Sequence, residues 1–185
     1  MEVSRQLVND QYSYEITKLY ERYEKVFCSS SQPISYIRTI SYFRMGLMRL
    51  EIHKLVQCRL PRSRLQSLAN LTVRKFGRRL RARELSLVLT GTSAVQRLNR
   101  IYRNKNLPTD VLSFDYGEIV ICYPLAKKQA REHGVSAADE ISLLFVHGLL
   151  HIMGFDHHRP RERQRMRLAE KKLLGYSGLV GRNSG

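Results

Sequence analysis

From about residue 49 onward, segments with a strand-type alternation of apolar residues take turns with segments of helical periodicity, and this ordering constrains the fold most. Residues 52–58 suit a strand. Pro61 then opens a helix through Phe76 that Gly77 ends, following the preference for Pro early in a helix and Gly just past it. Residues 84–90 alternate and are rich in β-formers. Thr92 or Ser93 is placed to cap a helix running to about Tyr102. Residues 111–114 and 118–122 read as two strands joined through Tyr116 and Gly117, and Pro124 begins a helix that Gly134 closes. Ser136 or Asp139 caps an apolar helix over 140–153, and a basic helix follows at roughly 160–174. Interleaved strands and helices predict an α+β fold, a small central sheet flanked by helices.

The chain ahead of this region reads differently. Residues 1–47 carry 6 basic and 5 acidic side chains, whereas the remainder carries 26 and 11, so nearly all of the formal +16 charge belongs to residues 48–185. The expected organisation is an N-terminal extension over 1–47, with helix over 12–27 and a polar break at 28–33, then the main basic domain over 48–176 and a tail over 177–185. Met45 and Met48 stand just ahead of the domain as candidate starts of translation. A field this positive draws polyanions, of which nucleic acid is the commonest in a cell. Cys28, Cys58 and Cys122 form no CxxC pair and suit a reducing compartment. The first residues lack the apolar stretch of a signal peptide, and no run of about 18 apolar residues marks a membrane span. A cytoplasmic protein is the expectation.

Three of the six histidines fall within 147–157, around Gly154. His147 and His151 lie four apart in the expected helix, so both rings leave the same face one turn apart. Gly154 can adopt the left-handed conformation that ends a helix and turns the chain back, bringing His157 over that face as a third nitrogen. Three protein ligands with one position open is the arrangement of a catalytic zinc, which acidifies a water it binds. Three neutral imidazoles suit zinc, nickel or copper, and availability favours one zinc per chain. His158 should point elsewhere, because adjacent residues rarely share one ion. Asp156 is a candidate to orient a ligand ring from behind. The spacing also suggests a metzincin protease helix, but those enzymes take their general base from a Glu immediately after the first His, and position 148 is Gly.

A second dense patch, LNRIYRNKNLPTDVLSF over 98–114, carries Arg100, Arg103 and Lys105 at a helix end before a Pro-fixed turn and a strand. Together with HGLLHIMGFDH over 147–157, it resembles the YbeY family of ribosomal RNA maturation factors, described as metal-dependent endoribonucleases. The family patterns are LNxxYRxKDxPTDVLSF and HGxLHLxGYDH, and Gly117 to Ile121 is similar to the family's GDIVI strand. The resemblance spans roughly 50–175. It implies metal binding by His147, His151 and His157, a cleft arginine at Arg103, and an α+β fold with a central sheet. Asn106 stands where the family usually has Asp, Asp115 where it often has Pro, and His158 where an acid is common.

The expected activity is cleavage of single-stranded RNA in ribosomal RNA maturation and ribosome quality control. Arg103 and His147 are the expected catalytic residues, and Arg100, Arg103 and Lys105 the RNA contacts. Arg59, Arg62 and Arg64, with the arginines at 78, 79, 81 and 83, would extend the track for the RNA backbone. The alternatives are a non-catalytic ribosome-associated factor with a structural metal, and a metallopeptidase.

Overall fold

A computed structural model of the chain describes residues 48–77, 80 and 84–176. The extension over 1–47 and the tail over 177–185 lie outside them, as do the arginines at 78, 79, 81 and 83.

The order of elements is β1 (Leu50–Lys54), α1 (Arg62–Phe76), β2 (Leu85–Thr90), α2 (Thr92–Arg103), β3 (Val111–Phe114), β4 (Glu118–Cys122), α3 (Tyr123–Glu132), α4 (Ala137–Ile152) and α5 (Pro160–Tyr176). The four strands form one sheet in the order β1-β2-β4-β3. β1, β2 and β4 run parallel, and β3 returns antiparallel beside β4 through a turn at Gly117. The α+β expectation holds, with helices packed against a small mixed sheet.

β4 has neighbours on both sides and all five of its residues are buried, including Glu118. That is the reason it reads as an unbroken apolar run rather than an alternating one. In register, Leu87 and Leu89 of β2 lie beside Ile119 and Ile121 of β4, and all four join the main core with Phe145, Leu149 and Leu150 of α4. Val88, Val120 and Leu112 align as a buried stripe on the other face, and α2 packs against β4 with Val95 and Leu98 buried.

α4 is the central helix. It packs against α1, α3, α5, β3 and β4, and ten of its sixteen residues are buried. A helix apolar on nearly every side is stable only when covered on nearly every side. Its start is fixed by Ser136, whose hydroxyl accepts from the Asp139 N–H, and Asp139 and Glu140 in the first turn face the positive end of the helix dipole. Gly148 sits where α4 meets the sheet. A Cβ there would lie 3.0 Å from Ile119 Cγ2, so the helix approaches β4 more closely than a larger residue permits. α5 covers the far flank of α4 with a stripe of Met166, Ala169, Leu173 and Leu174, at the three- and four-residue spacing of one helix face.

Two expectations need correction. The first strand runs over Leu50–Lys54 rather than 52–58, because its register is set by pairing with Leu85–Leu89 of β2. α2 is not capped by the side chain of Thr92 or Ser93: Gly91 occupies the N-cap and Thr92 is already helical. Cys58 and Cys122 are free thiols. Among the described residues, no single helix is long and apolar enough to cross a membrane.

Candidate metal centre and its cleft

His147 and His151 project from the last turns of α4. Their Nε2 atoms lie 3.1 Å apart, with ring centroids at 4.7 Å. The helix then ends in a Schellman motif: Gly154, at φ +78°, donates to the His151 carbonyl and Phe155 donates to the Leu150 carbonyl, each at 2.9 Å. This reversal carries His157 back, to centroid distances of 5.6 Å from His147 and 4.9 Å from His151. One ligand atom from each of the three rings lies within 4.8 Å of the others. The turn is anchored by Phe155, whose ring meets Phe76 edge-on at 5.2 Å and carries the Arg165 guanidinium 4.9 Å above it. Arg163 Nε adds a hydrogen bond to the His157 carbonyl.

The electrostatics favour neutral rings at His151 and His157. Burial, followed by the charges of His147 and His157, lowers the pKa of His151 to about 4. Burial and the neighbouring His147 also hold His157 below the usual histidine range. Three rings this close cannot all hold protons, but their lone pairs can converge on a cation. His147 has a further feature: its Nδ1 is 2.7 Å from Glu170 Oε1 on α5. An Nδ1–H donated to that carboxylate leaves the Nε2 lone pair directed at the other two rings. The donor set and the orienting carboxylate fit a divalent metal of zinc type.

Glu170 was not foreseen from the sequence. It lies 23 residues from His147 on a different helix, in a stretch that reads as an ordinary charged helix. Asp156, expected behind a ligand ring, instead accepts the backbone N–H of His157 at 2.6 Å and lies 3.5 Å from His158 Nε2. It shapes the turn that carries His157, while the carboxylate on a ring of the triad is that of Glu170. His158 is exposed and outside the triad.

The triad lies in a cleft of about 1020 Å3. Arg103 and Lys105 both line it, one on each side of Asn104, whose left-handed backbone (φ +55°) ends α2 and turns the chain. Arg100 does not reach it. It is exposed on α2 and lines, with Ser93, Gln96 and Arg97, a separate shallow depression. Arg59 and Arg62 are exposed and away from the cleft, and Arg64 is paired with Asp139 at 2.8 Å. Of the basic residues expected to meet RNA, the fold therefore brings Arg103 and Lys105 to the histidines and leaves Arg100 outside.

The sequence model of the endoribonuclease YbeY family matches residues 52–178, more than half of the chain. The chain belongs to the YbeY family. The YbeY endoribonuclease of Heliobacterium modesticaldum is 40% identical over 136 residues, covering 62% of this chain and 82% of that protein. That of Carboxydothermus hydrogenoformans is 40% identical over 119 residues (60% of this chain, 81% of its own length). That of Bordetella avium is 33% identical over 148 residues (73% and 92%). A solution structure of a Thermotoga maritima protein aligns with a TM-score of 0.48 at 21% identity, covering 74% of this chain and 98% of that one. The YbeY match runs from within β1 to beyond the end of α5, and includes all three histidines, Glu170, Arg103 and Lys105.

Proposed function

We infer that this chain is a zinc-dependent endoribonuclease that cleaves single-stranded RNA in ribosomal RNA maturation and ribosome quality control in the cytoplasm. The observation that carries the reading is the meeting, in one cleft, of three histidine ligand atoms within 4.8 Å of one another and the side chains of Arg103 and Lys105, in a member of the YbeY family.

His147, His151 and His157 would hold the ion. Zinc at that position supplies Lewis acidity toward a phosphoryl oxygen and toward a water. Glu170 keeps the His147 ring in the tautomer and orientation that presents Nε2. Arg103 offers a planar cationic fork to two phosphate oxygens, and Lys105 adds a point charge beside it. Gly148 counts against a peptidase: a glutamate there would need the space that Ile119 fills.

The test is elemental mass spectrometry on the full chain and on His151→Ala, followed by cleavage of a single-stranded RNA by the metal-loaded protein and by His147→Ala. About one zinc per chain, absent from His151→Ala, with cleavage lost and the circular dichroism of His147→Ala unchanged, supports the reading. Protein that holds no metal even after zinc loading overturns the metal site. Collapse of the fold in His147→Ala would make the ion structural.

A further inference from the structure

The cleft has a second cationic wall. Its floor is the C-terminal half of α4 with the three histidines, and α4 packs against both β3 and α5. The β3 side contributes Arg103 from the end of α2 and Lys105 from the turn that leads to the strand. The α5 side contributes Arg163 and Arg167, which with Glu170 follow a spacing of four and three residues and so share one helix face toward the cleft. Both arginines are exposed. Arg163 is held in place by its Nε bond to the His157 carbonyl, which leaves the terminal guanidinium nitrogens to point elsewhere.

The acidic residues of the cleft, Asp110, Asp115, Asp156 and Glu170, form no ion pair with these cations among the described residues. Asp110 accepts from the Val111 N–H and from Gln129 Nε2. Asp156 accepts from the His157 N–H, and Glu170 is bonded to His147. Three of the four carboxylates lining the cleft are thus committed to local bonds, whereas Arg103, Lys105 and Arg167 have no ion-pair partner among the described residues. At about 1020 Å3 the cleft also reaches the top of the range of roughly 300–1,000 Å3 usual for small-molecule pockets.

We propose that Arg163 and Arg167 form a second phosphate-binding wall, so that a single RNA strand crosses the histidine triad with backbone phosphates held on both sides of it. This rests on the RNA reading above and adds to it the side of the cleft on which the strand continues. The basic helix then has a specific task, distinct from that of a generally solvated charged face.

The test is fluorescence anisotropy of a labelled single-stranded RNA dodecamer, bound to the full chain across a series of salt concentrations. The variants are Arg163→Ala/Arg167→Ala, Arg167→Ala alone, and Arg97→Ala/Arg100→Ala on the face away from the cleft. Single-strand binding weakens with salt by about 0.7 of a log unit per phosphate contact, so the double α5 variant should flatten the slope by about 1.4 and lose on the order of 25-fold in affinity at 0.1 M salt. Arg167→Ala, which leaves the His157 turn intact, should give about half the change in slope. The Arg97→Ala/Arg100→Ala variant should keep the wild-type slope. Salt-dependent binding by the wild type that is unchanged in both α5 variants would overturn the second wall and leave the RNA reading standing. No binding by the wild type at low salt would overturn both.

Discussion

Replacing Glu170 probes the metal centre without touching a proposed ligand. The carboxylate lies 2.7 Å from His147 Nδ1, and its side chain is only 17% exposed, against 30% for the histidine, so water competes poorly for the bond. In Glu170→Ala the imidazole loses the acceptor that selects its tautomer, and His147 must spend free energy to present Nε2. Removing such an orienting partner costs about 10- to 100-fold in metal affinity, or about 1.4–2.7 kcal/mol. Glu170→Gln keeps a carbonyl acceptor but gives up its charge, and should fall between the wild type and the alanine variant. The assay is competition for zinc against a chromogenic chelator at pH 7, with a thermal melt of the metal-free proteins to confirm that α5 remains docked. An affinity for Glu170→Ala within threefold of wild type, in a folded protein, would show that the carboxylate does not orient the ligand.

Further outcomes follow from the same geometry. Burial raises the Glu118 carboxyl from its ordinary 4.5 to about 7, with a hydrogen bond from Tyr116 opposing the shift. The folded state therefore binds a proton more readily than the unfolded chain, and this group's contribution to stability should fall as pH rises from about 4.5 to about 7, by up to about 3 kcal/mol. Urea denaturation at pH 5 and pH 8 should show Glu118→Gln gaining on the wild type at the higher pH, and an offset independent of pH would contradict this. Gly148→Val should cost roughly 1–3 kcal/mol by overpacking against Ile119, read by the same denaturation, and unchanged stability would mean that α4 does not need its close approach to β4. His157→Ala should weaken zinc binding while leaving the melting temperature of the metal-free protein almost unchanged, since His157 is exposed on a turn. A large loss of stability there would give His157 a structural role.

The strands 111–114 and 118–122 were legible to the residue, because a long apolar run between turn residues has few other uses in a small sheet. The histidine cluster was legible for a local reason: a spacing of four plus one helix-ending glycine is enough to converge three rings. What could not be read depended on tertiary contact. The first strand begins earlier than its apolar residues suggest because β2 sets its register, and Leu55 donates the last bond to the Leu89 carbonyl. Arg100 and Arg103 look equivalent in sequence. They part because α2 ends at Asn104, directing Arg103 to the cleft and leaving Arg100 on the face of Arg97. Glu170 carries no signal of its own, since only the packing of α5 on α4 gives a glutamate in a basic helix its histidine partner.

The three rings do not stand on equal ground. Two belong to α4, whose glycine lies against β4, so their backbone should open to solvent more rarely than that of the turn. The third rides on an exposed turn held by a few side-chain contacts. An ion shared by all three would therefore be released in a fixed order, His157 letting go first while the helix pair keeps its grip. Hydrogen exchange should register the difference as fast-opening amides after Gly154 beside slow ones before it.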